Sequence, residues 1–132
     1  MNDETFAQIM SGLKFDASTG LIPAIIQDRK SQKVLTLCYM NEIALRGTLD
    51  TGYIHLFRRS QNKLMKKGET SGHTQAVVEF RPDCEGKSLL FIIDQKVAGC
   101  HKGYLSCYFE KIETSGARTV TDPLVFDPKK VY

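Results

Sequence analysis

Three cysteines and one histidine carry the strongest chemical signal in this chain. Cys100 and Cys107 bracket the run Cys100-His101-Lys102-Gly103-Tyr104-Leu105-Ser106-Cys107, and Cys84 lies in a polar, Gly-containing stretch. Six residues separate the first two thiols. On one helix their Cα atoms would stand about 10 Å apart, at 1.5 Å rise per residue. Thiolates on one tetrahedral zinc stand roughly 3.8 Å apart, given Zn–S near 2.3 Å. A helix cannot meet that spacing, but a loop bent at Gly103 can. With Cys84 added, three sulfurs and one open position match a catalytic zinc. His101 is then a fourth ligand or a proton carrier. From spacing alone, a structural Cys₃His site and three unrelated reduced thiols stay open as alternatives. His-x-Glu and Cys-x-x-Cys are both absent, which disfavours a zinc-dependent base deaminase.

The second chemical segment is basic. Arg58, Arg59, Lys63, Lys66 and Lys67 fall within ten residues that hold no acid, and Gly68-Glu69-Thr70-Ser71-Gly72-His73 follows directly. Small residues let backbone N–H groups approach an anion, and hydroxyls and guanidinium groups add donors. Phosphate suits such a segment; a solvated basic loop is the plainer alternative. Stacking aromatics are sparse, with only Phe57 at the edge, which weighs against single-stranded nucleic acid.

These groups need a scaffold. Phe6, Ile9, Met10 and Leu13 recur at helical spacing after an acidic start. Leu21 to Gln27 and Val34 to Tyr39 read as a hairpin. Asn41 reads as the cap of a second helix with Ala44, Leu45 and Leu49 on its apolar face, ended by Gly52. Tyr53 to Phe57 is a strand, and 58 to 73 a long loop. Thr74 to Arg81 and Ser88 to Asp94 are strands that put Cys84 at a hairpin tip, and Tyr108 to Thr114 is a last strand. The fold class that follows is α+β, mainly antiparallel sheet with two or more short helices. Cys38, in an apolar run, reads as a core thiol. His55 reads as structural, Asp94 as a strand end, and Tyr104 and Tyr108 as core packing.

Composition bounds the rest. The chain has 132 residues, 42% hydrophobic and 25% charged, which excludes disordered and collagen-like classes. One domain over residues 1–132 is expected. No apolar run approaches the roughly 20 residues that span a bilayer. The polar, acidic N-terminus does not look like a secretory leader, so a reducing cytoplasm is expected and disulfides are not. The net charge of +3 does not by itself imply nucleic acid.

Taken together, Lys67-Gly68-Glu69-Thr70-Ser71-Gly72-His73, Asp83-Cys84 and Cys100-His101-x-Gly103-x-x-Ser106-Cys107 resemble the signatures of phosphoribosyl-AMP cyclohydrolase. Leu21 to Asp28 and Tyr39-Met40-Asn41 resemble its N-terminal strand region, so the likeness runs from about residue 20 to about residue 110. The resemblance implies hydrolytic opening of the adenine ring of phosphoribosyl-AMP, between carbon 6 and nitrogen 1, in histidine biosynthesis. It implies a homodimer with zinc at the subunit interface, held by Cys84, Cys100 and Cys107 from both chains. A zinc-activated water would attack, with His101 relaying protons. Arg59, Ser60, Lys67, Gly68, Thr70, Ser71, Gly72 and His73 would hold the substrate. No nucleic-acid or membrane partner is expected. At 132 residues, room is expected for one cyclohydrolase domain and not for a fused pyrophosphohydrolase domain.

The chain departs from the family's Asp-Cys-Asp-x-Asp, which binds magnesium: it reads Asp83-Cys84-Glu85-Gly86-Lys87. Asp83 and Glu85 can still offer oxygen, but the Lys87 ammonium has no lone pair for a hard cation. Lys87 is expected to supply part of the charge magnesium would give. Gln61 and Met65 stand where the family tends to have Arg and Trp. The competing reading is a divergent paralogue: a zinc-containing nucleotide-binding protein, or an enzyme for another purine nucleotide.

Overall fold

The computed structural model describes residues 1–132. Helix α1 covers Asp3–Met10 and starts where the Asn2 side chain accepts the Thr5 N–H at 2.8 Å. Strands β1 (Ile22–Asp28) and β2 (Val34–Met40) form the expected hairpin. Helix α2 (Glu42–Thr51) is capped by Asn41, whose side chain accepts from Ala44 N–H at 2.8 Å, and closes at a left-handed Gly52. Strands β3 (His55–Arg58) and β4 (Lys63–Lys66) follow, then β5 (Gln75–Pro82), β6 (Leu89–Gln95), β7 (Glu110–Ile112) and β8 (Arg118–Val120).

The main sheet has the order β2-β1-β6-β5, and only the β1–β6 pair is parallel. Two antiparallel hairpins, β3–β4 and β7–β8, stand beside it. The α+β, mainly antiparallel expectation agrees with this arrangement. Alternate residues of the central strands point into one core: Ile22, Ala24 and Ile26 from β1 with Leu89, Phe91 and Ile93 from β6. Phe6 of α1 and Ala44 and Leu45 of α2 close that face. The other face stays open. There Ile25 is in register with both Leu37 and Leu90, and Ile25 and Leu37 are 38% and 43% exposed.

Two expectations need correction. Residues 58 to 73 are not one long loop. A short 3-10 turn (Arg59–Gln61) and a left-handed Asn62 reverse the chain, and β4 pairs with β3. The lysines at both ends of Lys63-Leu64-Met65-Lys66 suggest a loop, and its strand conformation comes from pairing with β3. The strand expected over Tyr108 to Thr114 is only the three residues of β7 and pairs with a further strand, β8, in a separate hairpin; Tyr108 lies outside it and is 58% exposed rather than packed in the core. Tyr104 stacks on Phe109 at 3.9 Å.

Candidate active site

The thiol loop is anchored at both ends. Gly99 N–H donates to Leu105 O at 2.8 Å and Cys100 N–H to Tyr104 O at 3.1 Å, closing the loop around Gly103. The buried Ser106 hydroxyl donates to Val34 O at 2.7 Å, and Cys107 N–H donates to Leu35 O at 2.8 Å. These bonds tie the loop to the start of β2 and set Cys107 beside Cys100. Burial pushes the Cys107 thiol upward and the neighbouring Cys100 adds to it, while the Thr36 hydroxyl and Lys67 ammonium act the other way. Cys38 is buried, as expected, and burial pushes its thiol up to about 12.

Cys84 is elsewhere. It sits exposed in the β5–β6 turn, before β6, while Cys100 follows β6. The seven residues of β6 alone span about 20 Å at roughly 3.3 Å per residue. Within one chain, no three His, Cys, Asp or Glu side chains converge on a metal position. The thiolate donors suit zinc in kind. One chain brings two of them together and carries the third at the opposite end of the sheet.

The magnesium residues fit less well. Asp83 Oδ1 accepts from the backbone N–H groups of Glu85 and Lys87, both at 2.9 Å, and Oδ2 accepts from the Ser88 hydroxyl at 2.7 Å. These bonds hold the Asp83 carboxyl below its ordinary value, the Ser88 hydroxyl most of all. Glu85 pairs with Lys87 Nζ at 3.1 Å. Asp83 is acting as the cap of its own turn, and Glu85 already has a cation.

The basic segment lies by the thiol loop. Two clefts, each of about 430 Å³, share Arg58, Lys67 and His101. The first adds Gly68, Thr70, Ser71 and His73. The second adds Arg59, Ser60 and Cys107. Of the residues expected to hold substrate, only Gly72 lines neither; its N–H donates to Gly68 O at 2.8 Å and closes the turn. A Cβ on Gly68 would stand 2.6 Å from the His73 carbonyl carbon, so the turn closes only on glycine. Arg59 is held with its guanidinium 3.9 Å over the Tyr39 ring.

His73 is buried, and its Nδ1 has no partner. Burial lowers its pKa, with Lys67 and Lys96 adding to the effect, so the ring is neutral near pH 7. His55 is structural, as expected: its N–H donates to Thr48 Oγ1 at 2.8 Å and its Nδ1 lies 2.9 Å from Tyr53 O. Two contributors escaped the sequence reading. Gln95 Nε2 reaches the carbonyls of both His73 and Ala98, joining the two site loops. Tyr132 lines the first cleft from the far end of the chain.

Comparison with known proteins shows the family. The family model for phosphoribosyl-AMP cyclohydrolase matches residues 36–109. The chain is 47% identical over 124 residues to a phosphoribosyl-AMP cyclohydrolase of Desulforapulum autotrophicum, covering 93% of this chain and 99% of that one. It is 49% identical over 106 residues to one from Archaeoglobus fulgidus, covering 80% and 97%. It is also 44% identical over 124 residues to the "Histidine biosynthesis bifunctional protein HisIE" of Thermoanaerobacter pseudethanolicus, covering 94% of this chain and 56% of that protein.

Proposed function

This chain belongs to the phosphoribosyl-AMP cyclohydrolase family, and from that premise we propose that it opens the adenine ring of phosphoribosyl-AMP by hydrolysis, in histidine biosynthesis. The observation that carries the proposal is His101, exposed where a cationic cleft and a thiol-bearing cleft meet.

Ring opening forms a bond from water oxygen to carbon 6 and breaks the bond from carbon 6 to nitrogen 1. The water loses a proton, and nitrogen 1 gains one. The His101 imidazole takes the first and returns the second. Lys67 and Arg58 face both clefts and balance phosphate charge. Thr70 and Ser71 offer hydroxyl donors in the first cleft. Zinc bound by Cys84, Cys100 and Cys107 would supply a water acidified toward neutral pH.

The zinc set is completed in a homodimer. Cys84 and the Cys100–Cys107 pair lie at opposite ends of one sheet, and a two-fold axis through the open face exchanges those ends. The apolar row of Ile25, Leu37 and Leu90 supports a second copy as the occupant of that face. In place of magnesium, the Lys87 ammonium supplies positive charge.

The test is turnover of phosphoribosyl-AMP, followed spectrophotometrically, with metal analysis of the same protein. The expected result is steady turnover with zinc present, lost in Cys100→Ser and His101→Ala without unfolding. Nucleotide binding without turnover would instead favour the divergent paralogue.

A further inference from the structure

We infer that Tyr132, delivered by a C-terminal strap over residues 122–132, is the aromatic wall against which the purine of a bound nucleotide stacks. The inference rests on the nucleotide reading above and adds the residue that recognises the base.

The strap is fastened where it crosses the thiol loop. Lys33 Nζ pairs with Asp122 at 3.1 Å. Val125 N–H donates to Gly103 O at 2.8 Å. A Cβ on Gly103 would stand 2.7 Å from Leu124 Cδ2 and 2.8 Å from Phe126 O, closer than real Cβ atoms come. Gly103 also sits at φ +100. Glycine therefore does two things here: it bends the thiol loop and leaves room for the strap.

The strap then turns toward the cleft. Phe126 meets the His73 ring edge-on, with centroids 4.7 Å apart. Asp127 accepts from Lys129 N–H at 3.0 Å and caps a last 3-10 turn over Pro128–Lys130. Tyr132 N–H donates to Pro128 O at 3.0 Å. Its ring stands edge-on to His101, 6.3 Å between centroids. Apart from the two histidines, Tyr132 is the one aromatic side chain lining the first cleft. A purine whose reacting carbon is within reach of His101 lies within reach of Tyr132. Arg58, Lys63 and Lys67 line the same cleft and suit phosphate, so the base has the Tyr132 ring as its π-partner.

The test compares AMP, which carries the purine, with ribose 5-phosphate, which lacks it. Binding of each is measured by calorimetry on wild type, Tyr132→Ala and Tyr132→Phe. The expected result for Tyr132→Ala is about a tenfold or greater loss of AMP affinity, within the range for base–aromatic stacking, with ribose 5-phosphate affinity held. Tyr132→Phe keeps AMP affinity, and for phosphoribosyl-AMP the loss in Tyr132→Ala falls on KM more than on kcat. Unchanged AMP affinity in Tyr132→Ala overturns the inference. So does equal loss for both ligands, or a wild type that binds AMP no better than ribose 5-phosphate. A wild type that shows the AMP effect but does not turn over phosphoribosyl-AMP overturns the catalytic reading and leaves the stacking residue in place.

Discussion

The side-chain amide of Gln75 donates to Gln95 Oε1 at 2.7 Å, across the β5–β6 pair. Gln75 is 1% exposed, and its own Oε1 has no partner. Gln95 Nε2 in turn lies 3.1 Å from Ala98 O and 3.3 Å from His73 O. One amide thus holds a buried neighbour and spans the roots of both site loops. Gln95→Ala strands the Gln75 donor in the core, at a cost of about 1–3 kcal/mol. Denaturant titration should show that loss, and kcat/KM should fall further than the folded fraction does. Wild-type stability in this variant would sink the argument.

His73 should make stability depend on acid. Burial lowers its pKa, and the cations facing it, Lys67 and Lys96, lower it further. The unfolded chain then binds more protons than the folded one below the ordinary histidine value near 6.5. Stability is full above that value and is lost as pH falls toward the lowered one. Replacing the imidazole in His73→Gln removes that slope. Melting followed by circular dichroism at about pH 7.5 and pH 5.5 is the check, centred on that ordinary value. The wild type should lose more of its Tm between the two than the variant does; equal losses would assign the acid sensitivity elsewhere.

How far the sequence could be read follows from what local patterns encode. Asn41 and Gly52 announce the ends of α2, and the apolar, β-branched run that opens Ile22–Asp28 announces a strand, because caps and local composition need no distant partner. The Cys100 to Cys107 loop was legible for the same reason. The approach of Tyr132 to His101 was not: 31 positions separate them, and only the packing of Gly103 against the strap brings them together. The role of Gln95 was hidden likewise, since a glutamine at a strand end looks like any polar terminus. Lys63–Lys66 was misread because its charge suggested a loop while its pairing partner lay before the turn.

Lys87 Nζ lies 3.1 Å from Glu85 Oε2, and both side chains are about 60% exposed. A pair so open contributes at most about 1 kcal/mol to stability, so its consequence is chemical: it neutralises the acid that magnesium would need. Activity in magnesium-free buffer should equal activity with millimolar magnesium, and Lys87→Ala should lower it. Lys87→Asp replaces the ammonium with an oxygen ligand and should create manganese binding visible by electron paramagnetic resonance. Strict magnesium dependence, with an unaltered Lys87→Ala variant, would be decisive against the substitution.

The separation of Cys84 from Cys100 and Cys107 makes a sharper demand on the dimer. If each zinc set takes Cys84 from one chain and the other two thiols from its partner, then Cys84→Ser and Cys100→Ser each destroy both sites of their own homodimer. Co-expressed, the two variants form mixed dimers in which one site carries both substitutions and the other carries none. Random pairing makes half of the dimers mixed, each with one intact site, so about a quarter of wild-type activity and zinc content should return. Adding Leu37→Asp to both chains places a carboxylate on the open sheet face beside Ile25. Sedimentation should then show monomers, and the restored activity should vanish while far-ultraviolet circular dichroism stays native. Co-expression that restores nothing between intact, dimeric variants would mean that each chain assembles its thiols alone.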